Sequence, residues 1–213
     1  MIEALGAGPV DVFASSGGAV NALALVERHG DLVRTLVAHE PPTAQILPDR
    51  DVMLAVCADI HATCLHAGTG PAMAKFIAAT SRKGPFPATW ADEPAPSPSS
   101  LPRLRPPADF GLPAEDDGSR DDPLLGQNMR GCTSHRPDFT TLHATSNRVV
   151  LAAGQESEGE FTARAAAAIA DALGTGLVVF PSHHGGFLGG EFGQHGAPEP
   201  FAKTLRHTLD THR

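Results

Sequence analysis

A chain of 213 residues with 41% apolar and 19% charged side chains has the length of one domain and enough apolar material to close a core. A net charge of −8, a single tryptophan and no tyrosine weigh against both a phosphate-neutralising surface and a base-stacking platform, so nucleic acid is not expected as a partner. No apolar run reaches the ~18 residues of a spanning helix and residues 1–20 show no secretory pattern, which predicts a cytoplasmic protein with no membrane partner.

In chain order, Val10 to Ala14 (VDVFA) is a run of strand formers leading into Ser15-Ser16-Gly17-Gly18 and an alanine-rich segment of helical period that reaches about His29. The pattern reads as strand, sharp turn, helix. Val33 to His39 (VRTLVAH) reads as a second strand, closed by Glu40-Pro41-Pro42, where paired prolines stop any regular element. Two helices are predicted next, Asp49 to His66 and Thr69 to Ser81, the second with Thr69 as N-cap and Pro71 in its first turn. Cys57 and Cys64 fall in the first of these, roughly 10 Å apart along the axis. That is too far for a disulfide, and with Cys132 they read as small buried thiols in a reducing compartment.

Prolines crowd the stretch from Gly84 to Pro123, which also holds the acidic run Glu115-Asp116-Asp117. No regular element is expected there, and 84–123 reads as a lid or linker within a single domain 1–213. A helix around Leu124 to Met129 follows. The chain then alternates: strand Arg148 to Ala153, helix Glu158 to Leu173, strand Leu177 to Pro181, helix Pro198 to Thr211. Strands that read as continuous apolar runs between helices imply an α/β fold, with a parallel sheet covered on both faces.

Ala14-Ser15-Ser16-Gly17-Gly18 fits small-x-Ser-x-small at a strand-to-helix turn, which presents the Ser16 hydroxyl above the sheet; glycine at the next two positions is expected to relieve close approach. A serine nucleophile needs a base, and the base needs an acid to orient it. Pro181-Ser182-His183-His184-Gly185-Gly186-Phe187 places two histidines after the last strand, and Gly154-Gln155-Glu156-Ser157-Glu158 places carboxylates after the preceding one. Serine, acid, histidine is the chain order that accompanies such a turn. His183, His184, Glu191 and His195 match no compact metal motif, so no metal is assigned, and Arg148 and Arg164 read as solvated.

These segments, with His39-Glu40-Pro41-Pro42, resemble the α/β-hydrolase superfamily and, more narrowly, the small bacterial serine hydrolases that share an HEPP segment and an HGGF-type histidine loop. The resemblance covers nearly the whole chain. It implies Ser16 as nucleophile, His184 as base, Glu156 as acid with Glu158 as the alternative, the Gly17 N–H as an oxyanion donor, and no cofactor. Members of the superfamily carry four strands and a Gly-rich oxyanion loop before the elbow strand, whereas here nine residues precede it. The expected fold is therefore a truncated α/β-hydrolase of about four parallel strands with flanking helices, its elbow strand left as an exposed edge and its second oxyanion donor without a visible source. Such an edge invites a homodimer or a partner chain.

The function this implies is serine-dependent hydrolysis of an ester or similar small acyl compound through an acyl-enzyme. The alternative is a catalytically impaired, non-hydrolytic remnant of the fold that binds a small molecule or a partner chain. A third reading keeps the same serine and histidine for a cyclisation or elimination.

Overall fold

Runs rich in valine, with a few aromatic and small apolar residues, build four strands: β1 (Val10–Ser15), β2 (Val33–His39), β3 (Arg148–Gly154) and β4 (Val178–Phe180). The structure, a computed structural model, describes residues 8–90, 118–145 and 148–211, together with residues 2, 4 and 6. The strands form one sheet in the order β1-β2-β3-β4, every neighbouring pair parallel. The register pairs Ser15 with His39, His39 with Ala152, and Ala152 with Val178, so all four strands end on the same side and their following loops converge there.

Both faces of the sheet are covered, which is why its inner strands read as unbroken apolar runs. On one face Leu36, Ala38 and Leu151 pack against helix α1 (Gly17–His29) and helix α6 (Phe161–Ala172) through Leu23, Val26 and Ile169. On the other, Val37, Val150 and Ala152 meet Phe180 and Phe201, the latter from helix α7 (Pro198–Asp210). A separate apolar cluster joins helices α2 (Arg50–Ala67), α3 (Thr69–Thr80) and α4 (Met129–Ser134) around Met53, Val56, Ile60, Leu125 and Met129. Among the described residues β1 pairs with β2 alone, so the elbow strand is an edge, with Arg34 on β2 paired to Asp11 at 2.5 Å.

Several local expectations shift. Gly68, not Thr69, caps α3, and Thr69 is its first residue. The segment near Leu124 is a π-helical turn, Pro123–Asn128, started by the Asp122 carboxylate accepting the Leu125 N–H at 2.8 Å. Helix α5 (Phe139–Ala144) was not expected; Asp138 caps it by accepting from the Thr141 N–H and hydroxyl. Helix α6 starts at Phe161 because a tight turn at Gln155–Ser157 and Gly159, at φ +83°, occupy the residues before it. Arg164 is not solvated: it is ion-paired with Asp49 at 2.5 Å and donates to the Gly84 carbonyl. Arg148, half-buried, donates to the Thr208 carbonyl.

Cys57 and Cys64 are buried and Cys132 is half-buried, all as free thiols. Within the proline-rich stretch, residues 91–117, including Glu115, Asp116 and Asp117, lie outside the described residues. No helix among the described residues is long and apolar enough to cross a membrane.

Candidate active site

Ser16 follows β1 directly and holds φ 56°, ψ −133°, a conformation that costs a non-glycine residue about 1–3 kcal/mol and persists only where its surroundings over-determine it. Here they do. The Ser16 N–H donates to the His39 carbonyl at 2.9 Å, and the Ser16 carbonyl accepts the Ala19 N–H at 2.9 Å, which locks the turn to β2 on one side and α1 on the other. Gly17 opens α1, so its N–H is one of those a helix leaves without an intrahelical acceptor.

A Cβ at Gly17 would lie 3.1 Å from Cys132 Sγ, whereas one at Gly18 would meet nothing within 4 Å. Close approach therefore constrains the first of the two glycines and not the second. Gly18→Ala should raise stability by about 0.5–1 kcal/mol through helix propensity, seen as a higher melting temperature, while Gly17→Ala has to displace the thiol. A destabilised Gly18→Ala protein would show that the second position is crowded after all. Burial pushes the Cys132 thiol up, away from thiolate, which weighs against it as a competing nucleophile.

Among the described residues, the non-glycine residues with positive φ are Ser16, Glu40 (48°) and Ser182 (70°). All three follow strands of the sheet, β1, β2 and β4, on the side where the loops converge. Strain of this kind gathers at functional sites.

His184 Nδ1 lies 2.5 Å from Glu40 Oε2. Glu40 is fully buried; its Oε1 accepts the Gly154 N–H at 2.8 Å and its Oε2 accepts the Thr162 hydroxyl at 2.7 Å. Burial alone would push this carboxyl up. The hydrogen bond and charge of His184, with the donors from Gly154 and Thr162, outweigh burial and hold it down at about 2. The group is an ionised, oriented acceptor at neutral pH.

The carboxylate that meets His184 is thus Glu40, at the end of β2, and not Glu156 or Glu158. Both of those are exposed, and Glu156 is tied into its turn by backbone bonds, its N–H to the Ser182 carbonyl and its carbonyl to Lys83 Nζ. Nothing local to the HEPP segment says that its glutamate turns inward. The two histidines also separate. His183 Nδ1 accepts the Gly185 N–H at 3.0 Å and its Nε2 lies 3.1 Å from the His195 carbonyl, so both ring nitrogens shape the loop. Glu191 takes the Gly189 N–H.

Glycines make this convergence of loops physically possible. A Cβ on Gly154 would stand 2.6 Å from the Ser182 carbonyl oxygen and 2.9 Å from the His183 carbonyl carbon; one on Gly186 would stand 2.8 Å from the Pro181 oxygen. These are backbone atoms that cannot step aside.

Ser16, Gly17 and His184 line one cavity of about 880 Å³, whose wall otherwise comes largely from α2, α3 and α4 and includes Met53, Ile60, Phe76 and Met129. His184 is 39% exposed, so a ligand can reach it. Glu160 adds a carboxyl to the wall; burial and then the charge of Glu40 push it up.

A parallel sheet with a strained serine turn between its edge strand and the first helix defines an α/β-hydrolase fold. Two solved structures from Mycobacterium tuberculosis share it. Rv0554 superposes with a TM-score of 0.57 at 16% identity over 98% of this chain and 67% of its own. BpoC of strain H37Rv, described as a candidate non-heme bromoperoxidase, superposes with a TM-score of 0.58 at 15% identity over 99% of this chain and 70% of its own. At these identities the likeness is one of fold. Neither a protein-family model nor a curated protein matches the sequence.

Proposed function

We propose that the protein is a serine-dependent hydrolase that cleaves an ester or similar acyl compound through an acyl-enzyme, with Ser16 as nucleophile, His184 as base and Glu40 as the acid that orients it. The observation that carries this reading is the contact between His184 Nδ1 and the buried Glu40 carboxylate beside a cavity that Ser16 also lines. With its Nδ1–H committed to Glu40, His184 keeps Nε2 as the free ring nitrogen that a general base requires. Ser16 Oγ attacks the acyl carbon as His184 Nε2 takes its proton, and the developing oxyanion faces the Gly17 N–H. The same proton then goes to the departing alkoxide, and a water repeats the sequence to release the acid.

The apolar wall supports a substrate with a bulky apolar acyl or alcohol part. Against a non-hydrolytic remnant stand the strained Ser16 and Glu40 backbones and the buried carboxylate, which cost stability and serve no purpose in a passive pocket. The bromoperoxidase description of BpoC belongs to a chain only 15% identical and is not carried over.

A fluorophosphonate probe tests the nucleophile without requiring the natural substrate. Ser16 should be labelled, Ser16→Ala should not be, and Ser15→Ala should retain labelling. Persistent labelling of Ser16→Ala would place the nucleophile elsewhere, and an unlabelled wild type would favour the binding protein.

A further inference from the structure

His39 is fully buried among Phe13, Phe180, Phe187 and Phe201, whose ring centroids lie 6.3, 5.9, 6.5 and 5.4 Å from its own. Its Nδ1 is 3.0 Å from Ser15 Oγ. Its Nε2 has no hydrogen-bond partner among the described residues and faces Glu40 Oε1 at 3.9 Å. Leaving a buried polar nitrogen unpaired costs about 1–3 kcal/mol, and an apolar ring would suit this box better, so an imidazole here calls for another explanation.

The titratable groups that act on His39 are Glu40 and His184, the latter 6.1 Å away between ring centroids. Burial pushes His39 down to about 4, with Glu40 opposing and His184 adding to the effect, so the ring is neutral at pH 7. Of its two neutral tautomers, one would turn the Nε2 lone pair toward a carboxylate oxygen. The other turns an N–H dipole toward it and lets the Ser15 hydroxyl donate to Nδ1. Electrostatics in a dry, aromatic box selects the second.

We propose that His39 is a positioning residue for the acid: its Nε2–H faces Glu40 Oε1, while its Nδ1 takes the Ser15 hydroxyl, and tempers the pull of that carboxylate on the His184 proton. The proposal rests on the reading of Glu40 and His184 as acid and base. A carboxylate that only orients an imidazole also raises its proton affinity, and a base protonated near neutral pH cannot accept the serine proton. An N–H dipole behind the carboxylate keeps the orientation while offsetting part of that rise.

The test is the titration of His184, followed by NMR of the ring in the free protein and by the acid limb of kcat/KM. His39→Phe keeps an aromatic ring and removes the dipole; it should move the His184 titration upward by roughly half a pH unit or more. His39→Gln restores an amide N–H near the Nε2 position and should titrate close to wild type. A merely structural histidine would change melting temperature without moving this pKa. An unchanged titration in a folded His39→Phe protein, or a glutamine variant indistinguishable from the phenylalanine one, overturns the proposal. If His39→Phe does not fold, His39→Met, which also lacks the N–H, decides: an upward shift supports the proposal and an unchanged titration refutes it. Because the NMR titration needs no substrate, it remains decisive even if an unlabelled wild type shows that the protein is not a serine hydrolase.

Discussion

Glu40→Gln should lower kcat/KM toward an aryl ester by about 10³ to 10⁴, whereas Glu156→Gln and Glu158→Gln should stay within about twofold of wild type. The substitution keeps the volume and, through one face of the amide, the bond from Gly154. It cannot hold two ionic acceptor oxygens toward Thr162 and His184 at once, and its NH2 invites the tautomer of His184 that places the lone pair on Nδ1 and the proton on Nε2. In that tautomer the base is blocked. Steady-state kinetics with a circular dichroism check on folding decides the matter. A Glu156 variant more damaging than the Glu40 variant would return the acid to the turn after β3.

Stability should fall steeply in acid, through the same two neighbours. His39 titrates near its ordinary 6.5 when unfolded and at about 4 in the fold, so between those values the unfolded chain binds a proton that the folded one refuses. The contribution is complete above about pH 6.5 and is lost as pH falls to about 4, a loss of roughly 3 kcal/mol. Glu40 moves from its ordinary 4.5 to about 2, so what its charged form contributes is complete above about pH 4.5 and disappears as pH falls through 2, with a similar magnitude. Urea titrations from pH 8 to pH 3 should show His39→Gln with a markedly flatter dependence between pH 6.5 and 4 than wild type. Parallel curves for the two proteins in that interval would contradict the burial argument.

The parts of the fold legible in sequence are those set by local pattern. Val33 to His39 reads as a strand because its apolar run stops at two prolines, and β2 spans those same residues. The turn at Ser16 is equally local, since small residues on either side of a serine between a strand and a helix leave room for a sharp turn there. Helix α5 carries only a short local signal, Asp138 three residues ahead of Thr141. Glu40 lay beyond reach for a different reason. What makes it an acceptor for His184 is the arrival of Gly154, Thr162 and His184, residues 114, 122 and 144 positions further on. The resemblance pointed to Glu156, after β3, and chain order alone is satisfied by either carboxylate.

The backbone ties at the two strained residues bear on how the molecule comes apart. Ser16 and Glu40 each give their N–H to the neighbouring strand, to His39 and Ala152, both at 2.9 Å. Neither amide can trade its proton for deuterium until that bond to the neighbouring strand opens. The loop bearing His184 bonds within itself, Gly186 to His183, Leu188 to Gly185 and Ala197 to Gly186, and meets Glu40 through one side-chain contact. Mild denaturant is therefore expected to part His184 from Glu40 while the sheet still holds Ser16 and Glu40 in register.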